Sequence, residues 1–128
     1  MLHKILEGKK GIVFGALDKK SIAWKTAETI VDSGGEIVLT NAPIAIRMGN
    51  INELSKKLDS PIIPADATSV IDLQNLINKS IEHFNGKIDF VLHSIGMSPN
   101  VRKKKHYTDL NYDFYHKTLD ISAFHWII

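Results

Sequence analysis

The residues Gly11-Ile12-Val13-Phe14-Gly15-Ala16-Leu17-Asp18-Lys19-Lys20-Ser21-Ile22-Ala23 join an apolar run to a helix start across a single glycine. Lys10 to Phe14 is a short run of the kind that becomes a buried strand, and Gly15 ends it. Ser21 stands where a helix N-cap belongs, because its hydroxyl can accept from a first-turn N–H. A glycine at a strand end lets a phosphate-bearing ligand approach the backbone. The helix behind it offers unpaired N–H groups and the positive end of its dipole. Only Gly15 follows the strand, so the three-glycine dinucleotide spacing is absent. By itself the turn fits an ordinary strand–helix connection as well as a pyrophosphate cradle.

Working outward, the helix after Ser21 carries Ala23, Ala27, Ile30, Val31 and Gly34 on one face, and Gly34-Gly35 stops it. Glu36 to Thr40 forms a second strand, with Pro43 in the loop behind it. A helix is expected from about Asn50 to Leu58, where Asn50 and Glu53 have capping-box spacing. Pro61-Ile62-Ile63-Pro64 reads as a short third strand, and proline at both ends suits a sheet edge. Ser69 and Asp72 open a helix whose apolar face is Val70, Leu73, Leu76, Ile77, Ile81 and Phe84. Asn85-Gly86 is a turn, Lys87 to His93 a fourth strand, and Ser94 to about Asp109 a polar loop. A last helix starts near Asn111, with Phe114, Leu119, Ile121 and Trp126 as its apolar positions. Strands alternating with helices predict an α/β domain: a doubly wound parallel sheet with right-handed crossovers, covered on both faces. About four strands are present, an incomplete sheet, and residues 1–128 form one domain.

Two further places could bind a ligand. Asp66, just after the third strand, could accept from an adenine amino group, although an aspartate there more often caps a helix or faces solvent. His93-Ser94-Ile95-Gly96 ends the fourth strand with small residues that let a ligand close to the backbone. In a sheet of order 3-2-1-4, the carboxyl ends of strands one, three and four border one crevice, where open α/β sheets bind ligands.

Gly15 followed by Ser21-Ile22-Ala23, with Asp66, His93-Ser94-Ile95-Gly96 and Leu119-Asp120-Ile121-Ser122, resembles the enoyl-acyl-carrier-protein reductases of bacterial fatty-acid synthesis. These belong to the short-chain dehydrogenase/reductase superfamily. The resemblance runs from about Lys10 to Phe124 and implies the amino-terminal part of a Rossmann-type NAD(P)-binding domain. It implies that Gly15, Ala16, Ser21 and Ile22 line the pyrophosphate and ribose. Asp66 and Ala67 would meet the adenine, and Ser94, Ile95 and Gly96 the nicotinamide half. Gly96, Met97 and Ser98 would border the acyl substrate. Two positions depart from the family pattern: Lys25 replaces a common glycine, and Thr40-Asn41-Ala42 lacks a common glutamine. The implied reaction is reduction of a trans-2-enoyl thioester, carried by acyl carrier protein, with NADH. The implied full-length assembly is a homotetramer. The family's catalytic tyrosine and lysine, separated by six residues, are expected downstream of Asp120-Ile121-Ser122. Tyr107, Tyr112 and Tyr115 lie upstream of that match and at the wrong spacing from Lys117, so no catalytic residue is assigned among the 128. The alternatives are another short-chain reductase and a non-catalytic nucleotide-binding module.

Cofactor choice is not settled by local charge. NADP calls for a cation at the end of strand two and NAD commonly meets an acid there. Neither follows Thr40, and the nearest cation is Arg47. The resemblance indicates NADH, with NADPH not excluded. The net charge of +2 provides no global attraction for nucleic acid or membrane. Cysteine is absent, and the six histidines lack metal-ligand spacing. Met1 to Lys10 holds no apolar stretch of signal-peptide length, so a cytoplasmic location is expected. Trp24 and Trp126 are expected to pack rather than stack on a ligand. The basic run Arg102-Lys103-Lys104-Lys105-His106 fits a solvated loop, or a docking patch for the acidic acyl carrier protein.

A four-stranded sheet whose fourth strand has no outer neighbour leaves an apolar edge and face open. The 128-residue chain alone is therefore expected to be marginally stable or self-associating. Sedimentation and thermal melting check this, and a sharp, reversible, monomeric two-state melt would contradict it.

Overall fold

The computed structural model describes residues 3–124; the Trp126 position expected for the last helix lies outside them. Three parallel strands, β1 (Lys10–Phe14), β2 (Glu36–Thr40) and β3 (Phe90–His93), lie in the order β2-β1-β3. The expected third strand is reduced to one parallel bridge, Leu39 to Ile62, on the outer side of β2. Leu39 exchanges hydrogen bonds with Pro61 and Ile63 there, both 2.9 Å. The flanking prolines explain the shortening: Pro61 and Pro64 have no N–H to extend a ladder. Counting that bridge, the spatial order is the expected one, and the fold is a partial Rossmann-type sheet.

Side chains alternate strictly across the sheet. Val13, Ile37 and Leu39 pack on one face with Trp24, Ala27 and Leu54, from α1 (Ile22–Asp32) and α3 (Ile51–Leu58). Ile12, Phe14 and Val38 pack on the other with Leu76 and Phe84 of α4 (Val70–Phe84). Helix α1 starts as expected: Ser21 Oγ accepts from the Trp24 N–H at 3.4 Å. It ends at Asp32, where Gly34 turns the chain at φ +92°. Trp24 is a packing residue at 2% exposure, and its indole N–H donates to Glu28 at 3.1 Å. Glu28 also accepts from Lys57 of α3 at 2.6 Å, and this bond holds its carboxyl below the usual glutamate range.

Four details differ from the sequence expectation. Pro43 opens a helix, α2 (Pro43–Met48), because its fixed φ suits a first helical position. Asn50 caps α3 by position only, with no side-chain hydrogen bond, so no capping box forms. β3 begins at Phe90, and Lys87 to Asp89 remain outside it. On α4, Val70, Ile77 and Ile81 are 46%, 38% and 43% exposed, while Ser80 is buried. The stripe 73-76-80-84 faces the sheet, and the apolar arc is wider than that contact. Ser80 is tolerated there because its hydroxyl donates to the Leu76 carbonyl at 2.7 Å. The polar loop contains α5 (Pro99–Arg102) and a 3-10 turn (Tyr107–Asp109), and α6 spans Tyr112–Ser122.

The entry to β3 is pinned to the start of β1. Lys10 N–H donates to Asp89 Oδ2 at 2.9 Å, Asp89 N–H to the Lys10 carbonyl at 2.7 Å, and Lys10 Nζ to the Phe84 carbonyl at 2.9 Å. The backbone bond from Lys10, above all, lowers the Asp89 pKa, and the neighbouring Lys87 adds to it. A lowered folded-state pKa adds stability above the unfolded-state value, lost as pH falls through the folded one. Chemical denaturation at stepped pH is therefore expected to show stability falling in the acid range below the ordinary aspartate pKa. Asp89→Asn should remove that part of the slope and lower stability at neutral pH; an unchanged slope would contradict the pinning role.

Candidate functional site

The carboxyl ends of β1, β2 and β3, the loop after the Ile62 bridge and one side of α6 surround a cleft of about 480 Å³. Parallel pairing with Phe14 opposite His93 brings Gly15 beside Ser94. Gly15 has φ +118°, and a Cβ on it would overlap the Ser94 carbonyl oxygen. Only glycine allows β1 and β3 to end this close together. Gly15 N–H donates to the Thr40 carbonyl at 3.1 Å and Ser94 N–H to the Phe14 carbonyl at 3.0 Å, so the sheet continues into the cleft floor.

Of the residues singled out from sequence, Gly15, Asp66, Ala67, Ser94, Ile95, Gly96 and Met97 line the cleft. Ala16, Ser21, Ile22 and Ser98 do not stand among its lining residues. Ala16 is fully buried in the core. The Ser21 hydroxyl closes its own loop, donating to the Asp18 carbonyl at 2.8 Å and accepting from Leu17 N–H at 3.3 Å. Ile22 begins α1 and is exposed. Ser98 caps α5, accepting from Val101 N–H at 3.4 Å. Asp66 uses Oδ1 to accept from the Thr68 N–H and hydroxyl at 2.8 and 2.7 Å, which fixes the carboxylate, and Oδ2 makes no hydrogen bond among the described residues. His93, half-buried at the end of β3, has its pKa lowered by desolvation. Tyr107, Tyr112 and Tyr115 lie outside the lining.

Sequence reasoning missed the residue that ties the loops together. Asn41 is buried; its Nδ2 donates to the Ala16 carbonyl at 2.9 Å and its Oδ1 accepts from Ala42 N–H at 2.9 Å. Its carbonyl accepts from Ala65 N–H at 3.1 Å. One side chain and its peptide thus join the loops after β1, β2 and the Ile62 bridge. The signal was an amide residue directly after a strand, a place where asparagine bonds local backbone. Lys117, Asp120 and Ile121 also line the cleft, from a helix far along the chain. Ser122 Oγ, from the same helix, accepts from Met97 N–H at 3.1 Å and holds the loop after β3. Arg47 is exposed on α2 and is not a lining residue, although Ile44 and Ala45 of the same helix are; the lining cations are Arg102 and Lys117. Among the described residues, no group of three or more His, Asp or Glu is placed to hold a metal, and no helix is long and apolar enough to cross a membrane.

Asn41→Ala would leave the buried Ala16 carbonyl without its partner, at a cost of about 1–3 kcal/mol. A urea denaturation midpoint lower by that amount is expected, with hydrogen exchange faster at Ala42 and Ala65. An unchanged midpoint would show that the three loops hold without the clasp.

A profile of the enoyl-(acyl carrier protein) reductase family matches residues 15–127. The enoyl-[acyl-carrier-protein] reductase [NADH] 1 of Rhizobium meliloti is 31% identical over 122 residues, covering 94% of this chain and 44% of that protein. The crystal structure of a FabI–NADH complex from Alistipes finegoldii superposes with a TM-score of 0.95 at 60% identity, over 98% of this chain and 44% of that one. The Bacillus cereus enoyl-acyl carrier protein reductase, crystallised with NADP+ and an indole naphthyridinone, superposes with a TM-score of 0.84 at 27% identity, over 95% of this chain and 48% of that one. This chain spans about half the length of these relatives. A profile match across nearly the whole chain, on a sheet whose strand ends converge on one cleft, makes it a member of the enoyl-(acyl carrier protein) reductase family.

Proposed function

We propose that this chain forms the cofactor-binding side of an NADH-dependent enoyl-acyl-carrier-protein reductase. The observation that carries the reading is the single cleft that gathers Gly15, Asp66, Ala67 and Ser94 to Met97 within the family-matched residues. The cleft fits a dinucleotide chemically. Gly15 exposes backbone where a Cβ would intrude, and Asp66 has an oxygen, Oδ2, that makes no hydrogen bond among the described residues and is open to an adenine amino group. Gly15 and the α1 start, with Ala16, Ser21 and Ile22, form the pyrophosphate side. Ala16 and Ser21 act there by shaping the loop. Asp66 and Ala67 hold the adenine side, and Ser94, Ile95 and Gly96 the nicotinamide side. Gly96, Met97 and Ser98 border the acyl chain.

NADH, when bound, supplies the hydride that reduces the enoyl double bond. The chain's own residues orient and seal. The loop Ser94 to Ser98, held through Met97 by Ser122, presents Gly96 between the apolar Ile95 and Met97, a surface against which a flat ring can lie. In this reading Tyr107, Tyr112 and Tyr115, which do not line the cleft, take no part in the proton relay. The substrate is an enoyl thioester on acyl carrier protein, the location is the cytoplasm, and the full-length assembly is a homotetramer.

The test is NADH oxidation with a crotonyl thioester, run on the full-length protein and on the 128-residue chain. Turnover is expected from the first and none from the second. Asp66→Ala should raise KM for NADH by about tenfold, the loss of one good hydrogen bond worth about 1.4 kcal/mol, with kcat little changed. Arg47→Ala should leave the NADH preference intact, because Arg47 does not line the cleft. Turnover by the 128 residues, or an NADPH preference that disappears in Arg47→Ala, would overturn the respective assignment.

A further inference from the structure

The turn after α5 concentrates the molecule's positive charge. Arg102, Lys103, Lys104 and Lys105 carry +4 with no acid between them, against +2 for the whole chain, so the remainder is net −2. Adjacent cations repel, yet this turn is tied down. Lys103 N–H donates to the Pro99 carbonyl at 2.9 Å and Lys105 N–H to the Asn100 carbonyl at 3.0 Å. Lys104 reverses the chain at φ +52°. Asn100 is buried, and its amide bonds the Asn111 backbone in both directions, at 3.2 and 3.0 Å, which fixes the turn to the start of α6.

Lys103 lies over the Phe114 ring, 4.6 Å from its centroid. Arg102, Lys104 and Lys105 make no ion pair among the described residues. Beside them Val101 and Tyr107 are 75% and 90% exposed. Tyrosine and arginine are side chains that protein interfaces favour, and the lysines beside them suit a polar rim. Arg102 also lines the cleft, so this surface begins at its mouth.

Resting on the function proposed above, we infer that this basic turn is the docking surface for an acidic face of the carrier protein that delivers the thioester. A substrate tethered to a protein has to be presented at the cleft mouth. A fixed cluster of unpaired cations there steers an acidic carrier into place. Tyr107 and Val101 then supply apolar contact once the charges have aligned the partner.

The experiment compares, in the full-length protein, crotonyl-acyl carrier protein with crotonyl-N-acetylcysteamine, the same thioester without a protein. The double variant Lys104→Glu/Lys105→Glu is expected to lose about tenfold or more in kcat/KM for the carrier-bound substrate, carried by KM, as removal of steering charges does. The small thioester should be reduced at the wild-type rate. Lys104→Arg/Lys105→Arg should keep wild-type kinetics. Raising salt should slow the wild type on the carrier-bound substrate more than it slows the Glu variant. Equal losses on both substrates, or none on either, would overturn the inference. So would binding of a single-stranded oligonucleotide that the Glu variant loses while carrier-protein kinetics are unchanged. Calorimetric titration of acyl carrier protein into both proteins reads docking without catalysis. Absence of turnover with binding retained by the wild type and lost in the Glu variant would count against the proposed reaction, not against the surface, and equal binding by both would count against the surface.

Discussion

Two parallel strands end side by side with a glycine facing a carbonyl, and everything about the cleft follows from that approach. Gly15 meets the Ser94 peptide with no space for a Cβ. In a parallel sheet all carboxyl ends lie on one edge, so the loops leaving β1, β2 and β3 must crowd together. Crowded loops carry peptide groups that need partners. Asn41 meets that need at the centre, bonding the loop before α1 and the loop after the Ile62 bridge from a single buried position. The cleft is therefore a product of backbone geometry first and of side-chain chemistry second.

The balance of forces points the same way. Both faces of the sheet are covered by apolar side chains, and the burial of residues such as Trp24, Leu39 and Phe14 is the large favourable term. Surface ion pairs such as Lys19 with Glu53, 3.9 Å apart and well exposed, add little. The Glu28 carboxylate is the exception in position, since it receives the Trp24 indole and Lys57 and so links α1 to α3 beside the core. The basic turn contrasts with this economy: its backbone is held by a buried asparagine, while Arg102, Lys104 and Lys105 have no ion pair among the described residues.

Much of the fold was legible along the chain because its signals are local. The β1 and β2 limits, the Ser21 and Ser69 caps and the turn at Asn85 depend on residues within a few positions of one another. Misreadings arose where local signals compete. Pro43 reads as a loop residue or a first helical residue, and the path after β2 chose the second. The α4 periodicity marks a wide apolar arc, and only the sheet beneath it selects the stripe containing Ser80. In the site, Gly15, Asp66 and Ser94 to Met97 stand next to strand ends, where period-2 patterning already points.

What the sequence by itself determined is the alternation of strands and helices, and with it the parallel sheet and the edge on which the cleft opens. Hydrophobic periodicity and caps act over a few residues, so they survive being read in one dimension. What only the tertiary structure decided is which side chains meet across that edge. Asn41 reaches Ala16 across 25 positions, and Ser122 reaches Met97 across another 25. Lys117 and Asp120 enter the cleft from a helix that begins beyond the polar loop. Such contacts depend on how the crossovers return the chain to the same edge, and no short window of residues carries that information.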